Sequence, residues 1–251
     1  MNLLTDQFLF NYFLVFCRIG VAFGLMPALG GTRYPPMVRL LFAMGVSLSL
    51  TPLVSAAQQF PAIGDSDKLR AILFELIAGF LIGFWCSCFI YILRFAGAFV
   101  VNMIGLAGIP GQPIDEAEPS TPIATLLTMA LTALIFATGL HLQSLEAMIM
   151  SYRIFPLGAV ISPQMPTQTT TEVLSRCFFL GLQFSSPFLV FSIIWNFALG
   201  LANRMTPQLS VYFAFSGLLT MISLAIMSLV APKLLYIPFS AYEDFLNSGF
   251  Q

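Results

Sequence analysis

Charge is what this 251-residue sequence has least of: 10 Lys and Arg with 11 Asp and Glu make up 8% of the chain. A soluble domain carries about 25%. So few charges cannot clothe a water-facing globule, which excludes a cytosolic enzyme. The absence of clustered Lys and Arg excludes a nucleic-acid binder. The net charge of −1 excludes steering toward a strongly charged partner. Histidine is also scarce. With His141 the one histidine, no Ser–His–Asp or Cys–His set is convincing. Neither H-E-x-x-H nor G-x-x-x-x-G-K-[ST] occurs, so a zinc-protease helix and a phosphate loop are absent from the sequence. His141 and Glu146 stand five apart, a poor fit to one helical face, and His141 reads as structural. Cys17, Cys86, Cys88 and Cys177 form no C-x-x-C pair; each lies in an apolar run and reads as a small buried hydrophobe. The expectation is a chain without catalysis, cofactor or metal. The first seven residues hold Asp6 and no Lys or Arg, unlike the basic start of a signal peptide, so the first apolar run is expected in the mature protein.

What is present is apolar: 58% hydrophobic residues, with 26 Phe and 12 Met. A helical bilayer crossing needs about 20 such residues. Six runs reach or approach that length, at 8–29, 37–60, 71–103, 122–150, 177–202 and 207–230. Between them, 30–36, 61–70, 104–121, 151–176, 203–206 and a tail from 231 carry the Pro, Gly or charge that stops apolar helices. The runs lack the alternation of barrel strands. The predicted fold is all-α: about six long apolar helices arranged as hairpins, with a Gly/Pro-rich central loop, in or against a membrane.

A few ionisable residues interrupt the runs. Arg18 lies near the middle of the first, where a charge costs about 2.5–3.5 kcal/mol on insertion scales. It must face protein or water. Two readings stay open, an intrachain pair with Glu75 or a similar carboxylate, and a contact to a neighbouring subunit. Loop cations divide almost evenly, with Arg33, Arg94 and Arg204 at odd-numbered loops and Lys68, Arg70 and Arg153 at even ones. That tie sets no orientation and suggests that some hairpins do not cross. Two G-x-x-x-G matches, Gly20–Gly24 and Gly79–Gly83, favour close helix packing.

Two connections stand out. In the first, Gly105, Gly108, Pro110, Gly111, Pro113, Asp115 and Glu116 lie within a segment that cannot hold a regular helix. It reads either as a surface loop with solvated carboxylates or as a re-entrant, plug-like loop lining a conduit. In the second, Asn203, Arg204, Thr206, Pro207 and Gln208 join the last two runs. Thr206 before Pro207 is a helix-start signal, and so short a join makes an antiparallel hairpin. Its polar tip is either a solvated turn or a docking point.

The stretch from Asn196 through Gly200, Asn203, Arg204 and Pro207 to Gln208 resembles the signature of the FliR family of flagellar export proteins, whose virulence-system counterpart is SctT. Cys17-Arg18-Ile19 with Pro27, Pro35-Pro36-Met37-Val38-Arg39, and Tyr152-Arg153-Ile154-Phe155-Pro156-Leu157-Gly158 match in order, over about residues 8 to 230. The resemblance implies a subunit of the type III export gate in the bacterial inner membrane, at the flagellar basal body. It further implies FliP-like and FliQ-like partners in a helical complex, an FlhB-like subunit beside it, and unfolded exported proteins as cargo. Residues 1–168 would be a FliP-like portion and 169–251 a FliQ-like C-terminal hairpin. By position, the glycine-rich segment would be the channel plug and 203–208 the tip toward the cytosolic entrance. Arg18 and Glu75 would be buried charges of the assembly. One departure is local: the family often has Asp followed by Pro after its glycines, where this chain reads Ile114-Asp115-Glu116. An equivalent virulence subunit, a small-solute transporter and an integral membrane enzyme are the rival readings.

Overall fold

Among the described residues seven helices follow one another: α1 Leu3–Leu25, α2 Pro36–Ala57, α3 Lys68–Met103, α4 Pro122–Ala137, α5 Leu140–Ile154, α6 Gln164–Met205 and α7 Val211–Asn247. This is a computed structural model, and it describes residues 3–27, 30, 35–57, 67–103, 122–157, 164–205 and 211–248. No strand occurs among the described residues, as the lack of alternating runs predicts.

Local chemistry sets several boundaries. α2 opens with Pro36 at its first position, where a missing N–H costs nothing, and the Pro35 carbonyl accepts from the Val38 and Arg39 N–H groups. Asp67 precedes α3 as an N-cap residue, its carbonyl accepting from the Ala71 N–H at 2.9 Å. Hydroxyls inside the apolar helices turn back onto their own backbone: Ser47 donates to Ala43 O at 2.6 Å and Thr51 to Ser47 O at 2.7 Å. Neither is then left unsatisfied away from water.

Three expectations are corrected. The run at 122–150 is two helices bent by 77°, because Gly139 sits at φ 78 in the left-handed region, and the second helix goes on to Ile154. The interval 151–176, expected between helices, contributes the start of α6 from Gln164. The tail from 231 is helical to Asn247, with Pro232 and Pro238 inside α7. The cost of those prolines is met by a bend of 40° between residues 217–230 and 235–247 rather than by a stop.

The chain divides into two compact units. The first comprises residues 1–89, 134–174 and 241–251, and the second 90–133 and 175–240. In the first, α1 packs along α2, and Trp85, Phe23, Phe89, Leu14 and Ile82 are fully buried. In the second, Phe188 and Phe184 of α6 are buried, and Gly181 lets Ile92 of α3 approach its backbone.

Among the described residues four helices are long and apolar enough to cross a membrane, or up to six if each bent pair counts as one span. Much of their apolar surface lies open. Only 28% of the α2 span is buried within the chain.

Candidate functional site

An arginine inside apolar helices is tolerated only where ligands replace its water. Arg18 of α1 and Glu75 of α3 both have 0% side-chain exposure. Arg18 Nε donates to Glu75 Oε2 at 2.6 Å and Nη2 to Oε1 at 3.1 Å, a bidentate fork. The rest of the guanidinium is served from the end of α5. Nη2 also donates to the Phe155 carbonyl at 2.9 Å and Nη1 to Ser151 Oγ at 3.4 Å. Its Cζ lies 3.9 Å from the centroid of the Tyr152 ring, a cation–π contact made stronger by desolvation. One ion pair with its hydrogen bonds thus ties three helices.

Glu75 begins a stripe at four-residue spacing on α3, so its members share a face. Gly79 is next: a Cβ there would collide with the Arg18 carbonyl oxygen. At Gly83 a Cβ would fall 2.8 Å from Leu25 Cβ and 3.0 Å from Ala22 O. Ser87 follows, its hydroxyl bonded to Gly83 O and Leu25 O. The second G-x-x-x-G match therefore serves contact between α1 and α3. The first does not: Gly24 has nothing within 4 Å, and Gly20 only the ring of Phe16.

Beside this cluster, Trp85 Nε1 donates to Thr170 Oγ1 at 2.9 Å. The end of α7 is pinned by Tyr242, whose hydroxyl lies 2.9 Å from Ser144 Oγ and whose ring meets Phe89 at 5.8 Å between centroids. These groups are buried, Thr170 partly so, and hold helices together. Among the described residues no group of three or more His, Cys, Asp or Glu could hold a metal.

The residues singled out from the sequence divide as follows. Arg18 and Glu75 are brought together. Asn203 and Arg204 are exposed at the end of α6, while Thr206, Pro207 and Gln208 lie outside the described residues. So do Gly105, Gly108, Pro110, Gly111, Pro113, Asp115 and Glu116. The His141 ring lies tilted against Phe136 with centroids 5.1 Å apart, and Glu146 is exposed. The sequence reading missed Ser151, Tyr152 and Phe155 as ligands of Arg18. Their signal was Tyr152 and Phe155 in a family-like stretch, with no hint of what they touch.

Outside these contacts the helices are greasy and open, as at Leu41 of α2, Phe179 and Phe197 of α6, and Met221 and Leu229 of α7. Such area needs lipid or protein cover. The sequence pattern of Bacterial export proteins, family 1, matches residues 9–243. The chain belongs to that family. The flagellar biosynthetic protein FliR of Caulobacter vibrioides is similar at 29% identity over 236 residues, covering 93% of each chain. FliR of Escherichia coli K12 is similar at 27% over 227 residues, 88% of this chain and 85% of its own. The Yop proteins translocation protein T of Yersinia pestis is similar at 25% over 222 residues, 83% of this chain and 81% of its own. A member of Bacterial export proteins, family 1, is a membrane component of export and not an enzyme. The sealed Arg18 cluster accordingly shapes a scaffold.

Proposed function

We propose that the chain is a structural subunit of the bacterial flagellar type III protein export gate, helping to wall the conduit for unfolded flagellar proteins at the inner membrane. Its partners are FliP-like and FliQ-like subunits in one helical complex, with an FlhB-like subunit beside it. Residues 1–168 form the FliP-like portion and 169–251 the FliQ-like hairpin. The segment with Gly105, Gly108 and Gly111 acts as the resting plug, with Pro110, Pro113, Asp115 and Glu116 shaping its turns. The tip from Asn203 to Gln208 meets a partner near the cytosolic entrance. Arg18 and Glu75 brace the subunit for assembly.

One observation carries this reading: a family match from residue 9 to 243 in a chain whose apolar helices lack cover of their own. Sister helices supply that cover and the walls of a tunnel together. Flexible glycine-rich backbone and soft Met or Phe side chains suit varied cargo, because they close without specific pockets. The likeness to a Yersinia translocation protein favours one second reading, the equivalent subunit of a virulence secretion system.

Deleting the gene and assaying motility and exported proteins tests both. Loss of flagellar proteins from the medium, restored by the intact gene, is expected. Loss of a different secreted set with motility kept would favour the virulence reading. Co-purification in mild detergent should return FliP-like and FliQ-like companions; a lone, fully six-fold-threaded monomer would overturn the proposal.

A further inference from the structure

On α5, Gln143, Glu146, Met150 and Arg153 recur every three or four residues and so share one face. With Leu246, Asn247 and Ser248 at the end of α7 they line an open cleft of about 370 Å³. Glu146 and Arg153 are both exposed. Their separation along the helix is about 10 Å, so the two charges do not neutralise each other. The carbonyl end of α7 enters the same cleft, with no basic residue in its last turn, where a cation is favoured. Nothing here belongs to the glycine-rich segment or the hairpin tip.

We propose that this cleft seats a helix of another polypeptide, bearing a Lys or Arg for Glu146 and, two turns away, an Asp or Glu for Arg153. Charges of opposite sign two turns apart on one helix match the spacing on α5, and Met150 and Leu246 give that helix an apolar seat between them. A zwitterionic lipid headgroup, with ammonium and phosphate joined by a two-carbon bridge, is too short to meet both. The inference goes beyond the export reading, since it concerns how this face is paired and not what passes through the complex.

The test places a photoreactive residue in the cleft, Met150→p-benzoylphenylalanine, in cells carrying the whole complex. Irradiation should give an adduct whose sequenced peptide holds the basic and acidic residues two helical turns apart. E146K and R153E should each lower its yield by roughly tenfold or more, since like charges then face each other. Reversing the matching charge on the captured peptide should restore it. E146Q and R153Q remove charge without repulsion; at equal membrane levels of the chain they should cut the yield by about fivefold. Adducts to lipid alone, no polypeptide adduct, or a yield indifferent to all four variants would overturn the proposal. Export is scored in the same strains, so a failed pairing with normal secretion is told apart from a failed export reading.

Discussion

Glu75 and Gly79, one turn apart on α3, grip the two ends of a single residue: the carboxylate takes the Arg18 guanidinium, and the missing side chain admits the Arg18 carbonyl. Each makes sense only with the other. Without Gly79, α1 could not come near enough for the fork to close, and without Glu75 that approach would drive a bare charge into an apolar core.

Glu75→Gln keeps the shape but leaves the guanidinium charge unbalanced. Breaking one side of a buried pair costs about 3–5 kcal/mol. At this chain length that is a fall on the order of 10 °C in melting temperature in detergent. The double replacement Arg18→Met with Glu75→Leu should be more stable than either single change, because neither charge is then stranded. A double variant no better than the worse single one would show that Ser151, Tyr152 and Phe155, and not Glu75, dominate the energy.

The glycines should respond unequally. Gly79→Ala pushes a methyl into the Arg18 backbone, and overpacking of this kind costs about 1–3 kcal/mol. Gly24→Ala meets open space and should be neutral or raise stability by up to ~1 kcal/mol through helix propensity. Membrane abundance and melting temperature of the two variants check this. Equal losses would mean that Gly24 is also a packing surface, covered by a partner in the assembly.

The contrast between those glycines marks how far the sequence is legible. Runs of apolar residues long enough to span a bilayer forecast an all-helical chain, and central Arg18 forecast a satisfied charge with Glu75 as its candidate partner. Spacing could not say which G-x-x-x-G faces a neighbour, since that depends on how a helix is turned. Hydropathy did not place the break at Gly139 either: α5 is the more polar helix, with His141, Gln143 and Glu146, but apolar residues continue past the glycine, and it is the backbone angle of φ 78 that separates α4 from α5. Pro232 and Pro238 misled in the other direction, reading as stops where α7 only bends. The ligands of Arg18 on α5 are distant in sequence, and no local pattern announces a contact across more than 130 residues.

Tyr242 supplies a graded test at the end of α7. The Tyr242 hydroxyl lies 2.9 Å from Ser144 Oγ and also hydrogen-bonds the Cys86 thiol. Tyr242→Phe removes the hydroxyl with its hydrogen bonds and should cost about 1–2 kcal/mol, with the ring still against Phe89 and the α7 end still docked. Tyr242→Ala removes the ring too and should cost about 3–5 kcal/mol. Protease sensitivity of the last turn of α7 in detergent should rise only in the second variant. Similar sensitivity in both would place the hydrogen bonds, and not the ring, in control of docking.

Gating, in the proposed function, depends on backbone freedom at Gly105, Gly108 and Gly111. Each added Cβ removes conformations that only glycine reaches, and costs about 1–2 kcal/mol where a left-handed angle is required. Replacing all three by Ala should lower export of flagellar proteins by about tenfold for a combined loss near 1.4 kcal/mol, at unchanged membrane levels of the chain. Val, stiff at its first side-chain torsion, should do more than Ala. The sign of the ion leak then separates two mechanisms. A plug that can no longer swing aside gives less export with no added leak, whereas one that can no longer seat gives leak with cargo still passing. Full secretion and an unaltered leak in the triple Val variant would leave the segment without a gating role, and the tunnel would then have to be closed by the Met and Phe side chains of its helices alone.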